Sequence, residues 1–78
     1  MAGSSDAPRR FTEHALRRMQ LRNVSAQMAL ETIPRPSSTG RGYSGKSLSY
    51  RAYPSQGVLK VVFREEKDEI VVITVMWD

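Results

Sequence analysis

The chain has 78 residues and a mass of 8.8 kDa, with twelve Lys/Arg against eight Asp/Glu, one histidine and no cysteine. That length holds one small globular domain, and its composition excludes disulfide staples and thiolate metal sites and argues against zinc, so neither metal nor cofactor is expected. No apolar run approaches the ~18–20 residues of a membrane span, which with the lack of a signal-peptide core points to a soluble, cytoplasmic protein without a membrane partner. Its formal charge of +4 suits an anionic one.

Residues 1–10 are rich in Gly, Ser, Ala and Pro and end in two arginines, which reads as a flexible leader ahead of a single domain over residues 11–78. Thr12 suits a helix N-cap, with Glu13 in the first turn and Asn23 as a left-handed stop. Ser25 caps a second helix over residues 26–33, which Pro34 and Pro36 end. Residues 35–45 have loop composition. Three strand-like runs follow, over residues 47–53, 58–64 and 70–77, separated by the turn Pro54-Ser55-Gln56-Gly57 and a charged connection over residues 65–69. The expected architecture is α+β: two N-terminal helices packed on one face of a small twisted antiparallel sheet of three to four strands.

The first helix places charge where a core should be. At about 100° per residue, Phe11, Ala15 and Met19 define an apolar stripe, and His14, Arg18 and Arg22 fall within or beside the same arc. A cation aimed at a sheet is costly unless paired or bound to an anion. The structural explanation pairs Arg18 or Arg22 with Glu31 or C-terminal carboxylates and bonds His14 to a carbonyl. The functional one is an anion site, with His14 moving protons near neutrality and forked arginine donors holding phosphate.

A second basic cluster comes from strand alternation. If Leu59, Val61, Phe63, Val71, Ile73, Val75 and Trp77 face the helices, then Arg51, Tyr53, Lys60, Arg64 and Thr74 lie together on the other face. Cations with an aromatic ring suit single-stranded nucleic acid, although lysine and arginine on an exposed sheet also serve solubility. The loop adds Arg35, Arg41, Tyr43 and Lys46.

The run Thr12-x-His14-Ala15-x-x-Arg18-Met19-x-x-Arg22-x-Val24-Ser25, with Tyr50-Arg51, Leu59-Lys60-Val61-Val62 and Ile73-Thr74-Val75, resembles a small bacterial family of domains of unknown function. That family is grouped with RelE-like ribonuclease toxins and, more distantly, with barnase and colicin nucleases, and the likeness covers residues 11–77. The resemblance implies a RelE-like fold and a metal-independent endoribonuclease of a toxin–antitoxin system. In such an enzyme the ribose 2′-hydroxyl attacks the adjacent phosphate. Position by position, the resemblance carries catalytic roles to His14, Arg18, Arg51 and Thr74, and nucleic-acid contacts fall to Arg22, Lys60, Tyr53, Arg64, Arg41 and Lys46. The implied partners are RNA or the ribosome and an acidic antitoxin. A competing reading is a non-enzymatic module that binds RNA or protein, and a third is a small domain that dimerises through Trp77 and an edge strand.

Overall fold

The computed structural model describes residues 8–78 as a five-stranded mixed sheet with two helices on one face. The chain runs β1 (Arg9–Phe11), α1 (Glu13–Arg22), α2 (Ala26–Thr32), β2 (Ser38–Arg41), a 3-10 turn (Tyr43–Gly45), β3 (Ser47–Tyr53), β4 (Gly57–Glu65) and β5 (Ile70–Trp77). The sheet order is β1-β5-β4-β3-β2. Among the described residues no helix is long and apolar enough to cross a membrane.

Local chemistry sets the helix ends where the sequence places them. The Thr12 hydroxyl accepts from the Ala15 N–H at 3.0 Å, and the Ser25 hydroxyl accepts from the Met28 N–H at 3.1 Å. Asn23 adopts a left-handed conformation (φ 57°, ψ 46°), and its N–H turns back to carbonyls of the last turn of α1. One more orphan carbonyl at this end, that of Arg22, accepts from the Trp77 indole N–H at 2.8 Å. Gly57 closes the β3–β4 turn with φ 122°, a conformation that penalises any side chain.

The sheet is larger than the expected three to four antiparallel strands. β2 forms inside the stretch of loop composition and pairs antiparallel with β3, Ser38 opposite Tyr50 and Arg41 opposite Ser47. β1 pairs parallel with β5, Arg9 opposite Ile70 and Phe11 opposite Val72. Most of the expected leader lies outside the described residues, but Arg9 and Arg10 belong to the sheet. The Pro8 carbonyl accepts from the Ile70 N–H at 2.8 Å, and the Arg10 guanidinium donates to both Glu69 carboxylate oxygens, at 3.3 and 3.2 Å. Neither short strand has an alternating apolar pattern, because each borrows its hydrogen bonds from a longer neighbour.

The core lies between the helices and one sheet face. Ala15 and Met19 of α1 and Ala29 of α2 cluster with Leu59, Val61 and Phe63 of β4 and Ile70, Val72 and Val75 of β5. Strict alternation would put Val71 and Ile73 in this core. They are not there, because β5 carries one extra residue: Val62 pairs with Thr74 and Phe63 with Val72, which leaves Ile73 as a bulge. The bulge reverses the phase, so Ile70 and Val72 on one side of it, and Val75 and Trp77 on the other, share the core face.

Thr12 is bonded to this bulge. Its hydroxyl donates to the Ile73 carbonyl at 3.2 Å, and its N–H donates to the Val72 carbonyl at 3.1 Å. Thr12→Ala, which removes both the cap and the bulge contact, should therefore lower unfolding free energy by about 1–2 kcal/mol. Thr12→Ser should retain most of the stability in urea denaturation, and equal stability of Ala and Ser variants would count against the role.

Candidate nucleic-acid interface

Once the core face is assigned, register determines what the opposite face carries. Tyr50 of β3, Lys60 of β4 and Met76 of β5 lie side by side across three strands. The next row holds Leu48, Val62 and Thr74, and the one after it Arg64, Val71 and Arg10. None of these side chains joins the core cluster beneath the helices. Val62 and Val71 are nevertheless 8% and 7% exposed, as valines standing among longer neighbours on a pleated surface should be.

This face combines an apolar centre with cations. The Lys60 ammonium lies 5.9 Å from the centroid of the Tyr50 ring, within cation–π range. Arg64 has a single carboxylate nearby, Glu66 at 4.0 Å, and its buried Nε has no hydrogen-bond partner. Arg10 is committed to Glu69 at the margin. Lys60 and Arg64 are therefore the cations left on this face for an external anion, with the Tyr50 ring beside Lys60 and two rows away from Arg64.

Arg51 and Tyr53 are not on this face. Arg51 pairs across the sheet with Leu59 and Tyr53 with Gly57, which turns both toward the helices. There they hold α2 to β3. The Tyr53 hydroxyl donates to the Glu31 carboxylate at 2.5 Å and reaches the Met28 carbonyl at 3.4 Å. The Arg51 guanidinium donates to the Arg35 carbonyl at 2.6 Å, lies 3.8 Å from Glu31 and sits 5.7 Å from the Tyr53 ring centroid. Trp77 meets the Tyr53 ring edge to face at 6.2 Å. The structural explanation of the first helix offers Glu31, or C-terminal carboxylates, as the partner of Arg18 or Arg22; it is Arg51 that lies beside Glu31, because the β3 register brings it under the end of α2.

The four residues expected to be catalytic do not converge. His14 and Arg22 are exposed and Arg18 is half-buried, so the stripe expected to face the sheet runs along the flank of α1. Among the described residues these three side chains form no hydrogen bond or ion pair, a bond from His14 to a carbonyl included. Thr74 is on the face opposite α1. Arg51 is engaged with α2, and Arg41 and Lys46 flank the turn at the far edge of the sheet. Tyr50, Met76 and Arg10 join the uncovered face although the sequence did not single them out for it. A signal for Tyr50 was present: counting outward from the turn that joins Tyr53 to Gly57 puts Arg51 opposite Leu59 and Tyr50 opposite Lys60. The apolar look of Leu48, Tyr50 and Ala52 points the other way. Among the described residues no three His, Asp or Glu side chains converge to hold a metal ion.

A family model described as a domain of unknown function (DUF4258) matches residues 11–77. Comparison with curated proteins and with solved structures finds no match.

Burial, and then the hydrogen bond to Glu31, push the Tyr53 phenol above its ordinary range. A group whose folded pKa is raised contributes stability in full below its unfolded value, about 10 for tyrosine, and loses it as the pH climbs through the folded value. Tyr53→Phe should thus cost about 1 kcal/mol at neutral pH and flatten the alkaline fall in stability above about pH 10. Thermal unfolding of both proteins across pH 8–12 checks this, and superimposable alkaline limbs would exclude it.

Proposed function

Because the chain belongs to the DUF4258 family of domains of unknown function, we propose that it is an RNA-binding module whose uncovered sheet face holds a single-stranded segment. The observation that carries the reading is the placement of Tyr50, Lys60 and Arg64 on one helix-free face with an apolar floor between them. A base stacks on an aromatic ring whatever its identity, and cations beside that ring neutralise the phosphates on either side of it. Tyr50 and Lys60 are one strand spacing of about 4.8 Å apart and Arg64 lies four residues, about 13 Å, further along β4, so the ring and the two cations fall within the reach of a few nucleotides. Thr74 and Met76 complete the floor with a hydroxyl and a polarizable side chain. In this reading Arg51 and Tyr53 act indirectly, by fixing the layer that keeps β3 in register.

The endoribonuclease reading has one observation in its favour. Arg64 has an unpartnered buried Nε and only a distant carboxylate, so its donors are free to stabilise the extra negative charge of a pentacoordinate phosphate. The proton transfers would need a group on the same face. His14 is on the helix layer instead, so it does not serve that role in this arrangement.

Fluorescence anisotropy with a labelled single-stranded RNA tests the module. Lys60→Glu and Arg64→Glu should each weaken binding and lower the salt dependence by roughly one phosphate contact, while Tyr50→Ala should cost about 1–3 kcal/mol with little change in salt slope. His14→Ala should leave affinity intact. A salt-insensitive affinity, or one indifferent to Lys60 and Arg64, sinks the proposal. Cleavage of the RNA in chelator that depends on Arg64 would establish the enzyme instead.

A further inference from the structure

β2 is the outer strand of the sheet, and its hydrogen bonds show which of its backbone groups face outward. At one end the Gly42 N–H donates to the Lys46 carbonyl at 3.0 Å, and at the other the Ser37 N–H donates at 2.6 Å to the carbonyl of Tyr50, the residue opposite Ser38. In an antiparallel pair, bonded and non-bonded positions alternate. Ser38, Gly40 and Gly42 therefore bond inward to β3, and the N–H and C=O groups of Thr39 and Arg41 point away from the sheet. Among the described residues nothing bonds to them. The helix layer leaves this edge open, since α2 packs on β3 and β4.

An open edge is a template for another strand unless charge, proline or added twist blunts it. Over Ser38–Arg41 there is no proline and one charged residue, at the end. The residue between the two outward positions is Gly40, and the side chains of Leu48 and Tyr50 lie over it: a Cβ there would be 3.5 Å from Leu48 Cδ1 and 3.8 Å from Tyr50 Cε1. The edge is thus bare backbone beside an apolar ledge.

We propose that this edge pairs with the same edge of a second copy of the chain, β2 against β2 and antiparallel about a two-fold axis at Gly40. Thr39 then exchanges both backbone bonds with the partner's Arg41, and Arg41 does the same with the partner's Thr39. The edge is its own complement in this register alone. A shift by two residues would pair Thr39 with its counterpart, or Arg41 with its counterpart, leaving one exchange in place of two and, in the second case, like charges directly opposed. In the proposed register Arg41 opposes a threonine. Gly40 meets its own counterpart at the non-bonded position, where the two backbones come closest, about 4.5 Å apart, and no side chain obstructs them. The apolar row of Val62, Leu48 and Gly40 then runs on into the partner.

The result is one ten-stranded sheet with both helix layers on the same side. Its consequence for the uncovered face rests on the RNA-binding reading. Lys46 leaves the chain on the side of Leu48 and Tyr50, and it lies opposite Gly42, which falls opposite the partner's Ser38 and so in the row of the partner's Tyr50 and Lys60. Each copy thus adds a cation to the face of the other.

Sedimentation of the full chain together with amide hydrogen exchange tests the pairing. The chain should pass from monomer to dimer as its concentration rises to about 1 mM, and more readily at high salt, because each copy carries a formal charge of +4. Dimerisation should slow exchange of the Thr39 and Arg41 amides by about tenfold or more, and by more than it slows Ser38 and Gly40. Thr39→Pro removes an outward donor and no bond to β3, and Gly40→Lys sets two cations face to face at the axis. Both variants should be monomeric where the unmodified chain is dimeric, and the second carries the test if the first does not fold. A chain that is monomeric at every concentration, a dimer whose Thr39 and Arg41 amides exchange as in the monomer, or folded variants that still dimerise would each overturn the proposal. Protection of these two amides only when RNA is added, with the mass remaining that of a monomer, would overturn it in favour of another occupant. Lys46→Glu should weaken RNA binding in the unmodified chain and leave it unchanged in the Thr39→Pro background, and an equal effect in both would overturn the shared face. A chain that dimerises by these criteria but binds no RNA would overturn the RNA-binding reading alone.

Discussion

Thr12 ties together the three elements on which the layer arrangement depends. Its hydroxyl accepts from the first turn of α1 and donates to the bulged Ile73 carbonyl, and its N–H continues the pairing of β1 with β5. The bulge matters because side-chain direction in a strand has a period of two: one extra residue inverts every position beyond it. β5 has apolar residues at nearly all its positions, so either phase would bury something. The bulge lets Ile70, Val72, Val75 and Trp77 all meet the helices, and it leaves Val71 and Thr74 to the other side.

With both helices on one face, the two sides of the sheet acquire different chemistry. Beneath the helices, polar groups are spent on holding layers together: Tyr53 and Arg51 bind Glu31 and the carbonyls around the end of α2, and the Trp77 indole satisfies a carbonyl at the end of α1. A small core gains specificity of packing from such bonds, since each joins elements distant in the chain. On the uncovered face the strands carry Lys60 and Arg64 with little internal neutralisation, beside Tyr50 and an apolar floor. The basic character of the chain is thus partitioned, with some arginines serving structure and others left facing outward.

This partition explains why some of the expected site residues are structural. Arg51 and Tyr53 look like Lys60 and Arg64 in a linear sequence: polar residues at alternate positions of strands, near a turn. What separates them is the register of one hairpin, which is set by where its turn closes. The turn was legible from Pro54 and Gly57, and the helix ends were legible from Thr12, Asn23 and Ser25, because each of these depends on hydrogen bonds or backbone angles within a few residues. The stripe of His14, Arg18 and Arg22 was less informative. A helical wheel gives the spacing of residues around an axis but not the rotation of the helix against a sheet, which the packing of Ala15 and Met19 decides.

The sequence by itself determined the two capped helices, the three long strands, the antiparallel hairpins that join them and the location of excess positive charge along the chain. The tertiary structure decided the rest: that Arg9–Phe11 and Ser38–Arg41 become edge strands, that β5 bulges at Ile73, and which cations share a face. The physical reason is the range of the forces involved. Caps and turns are closed by neighbours in the chain, whereas edge pairing, register and facing are settled by hydrogen bonds and packing between residues from six to 61 positions apart.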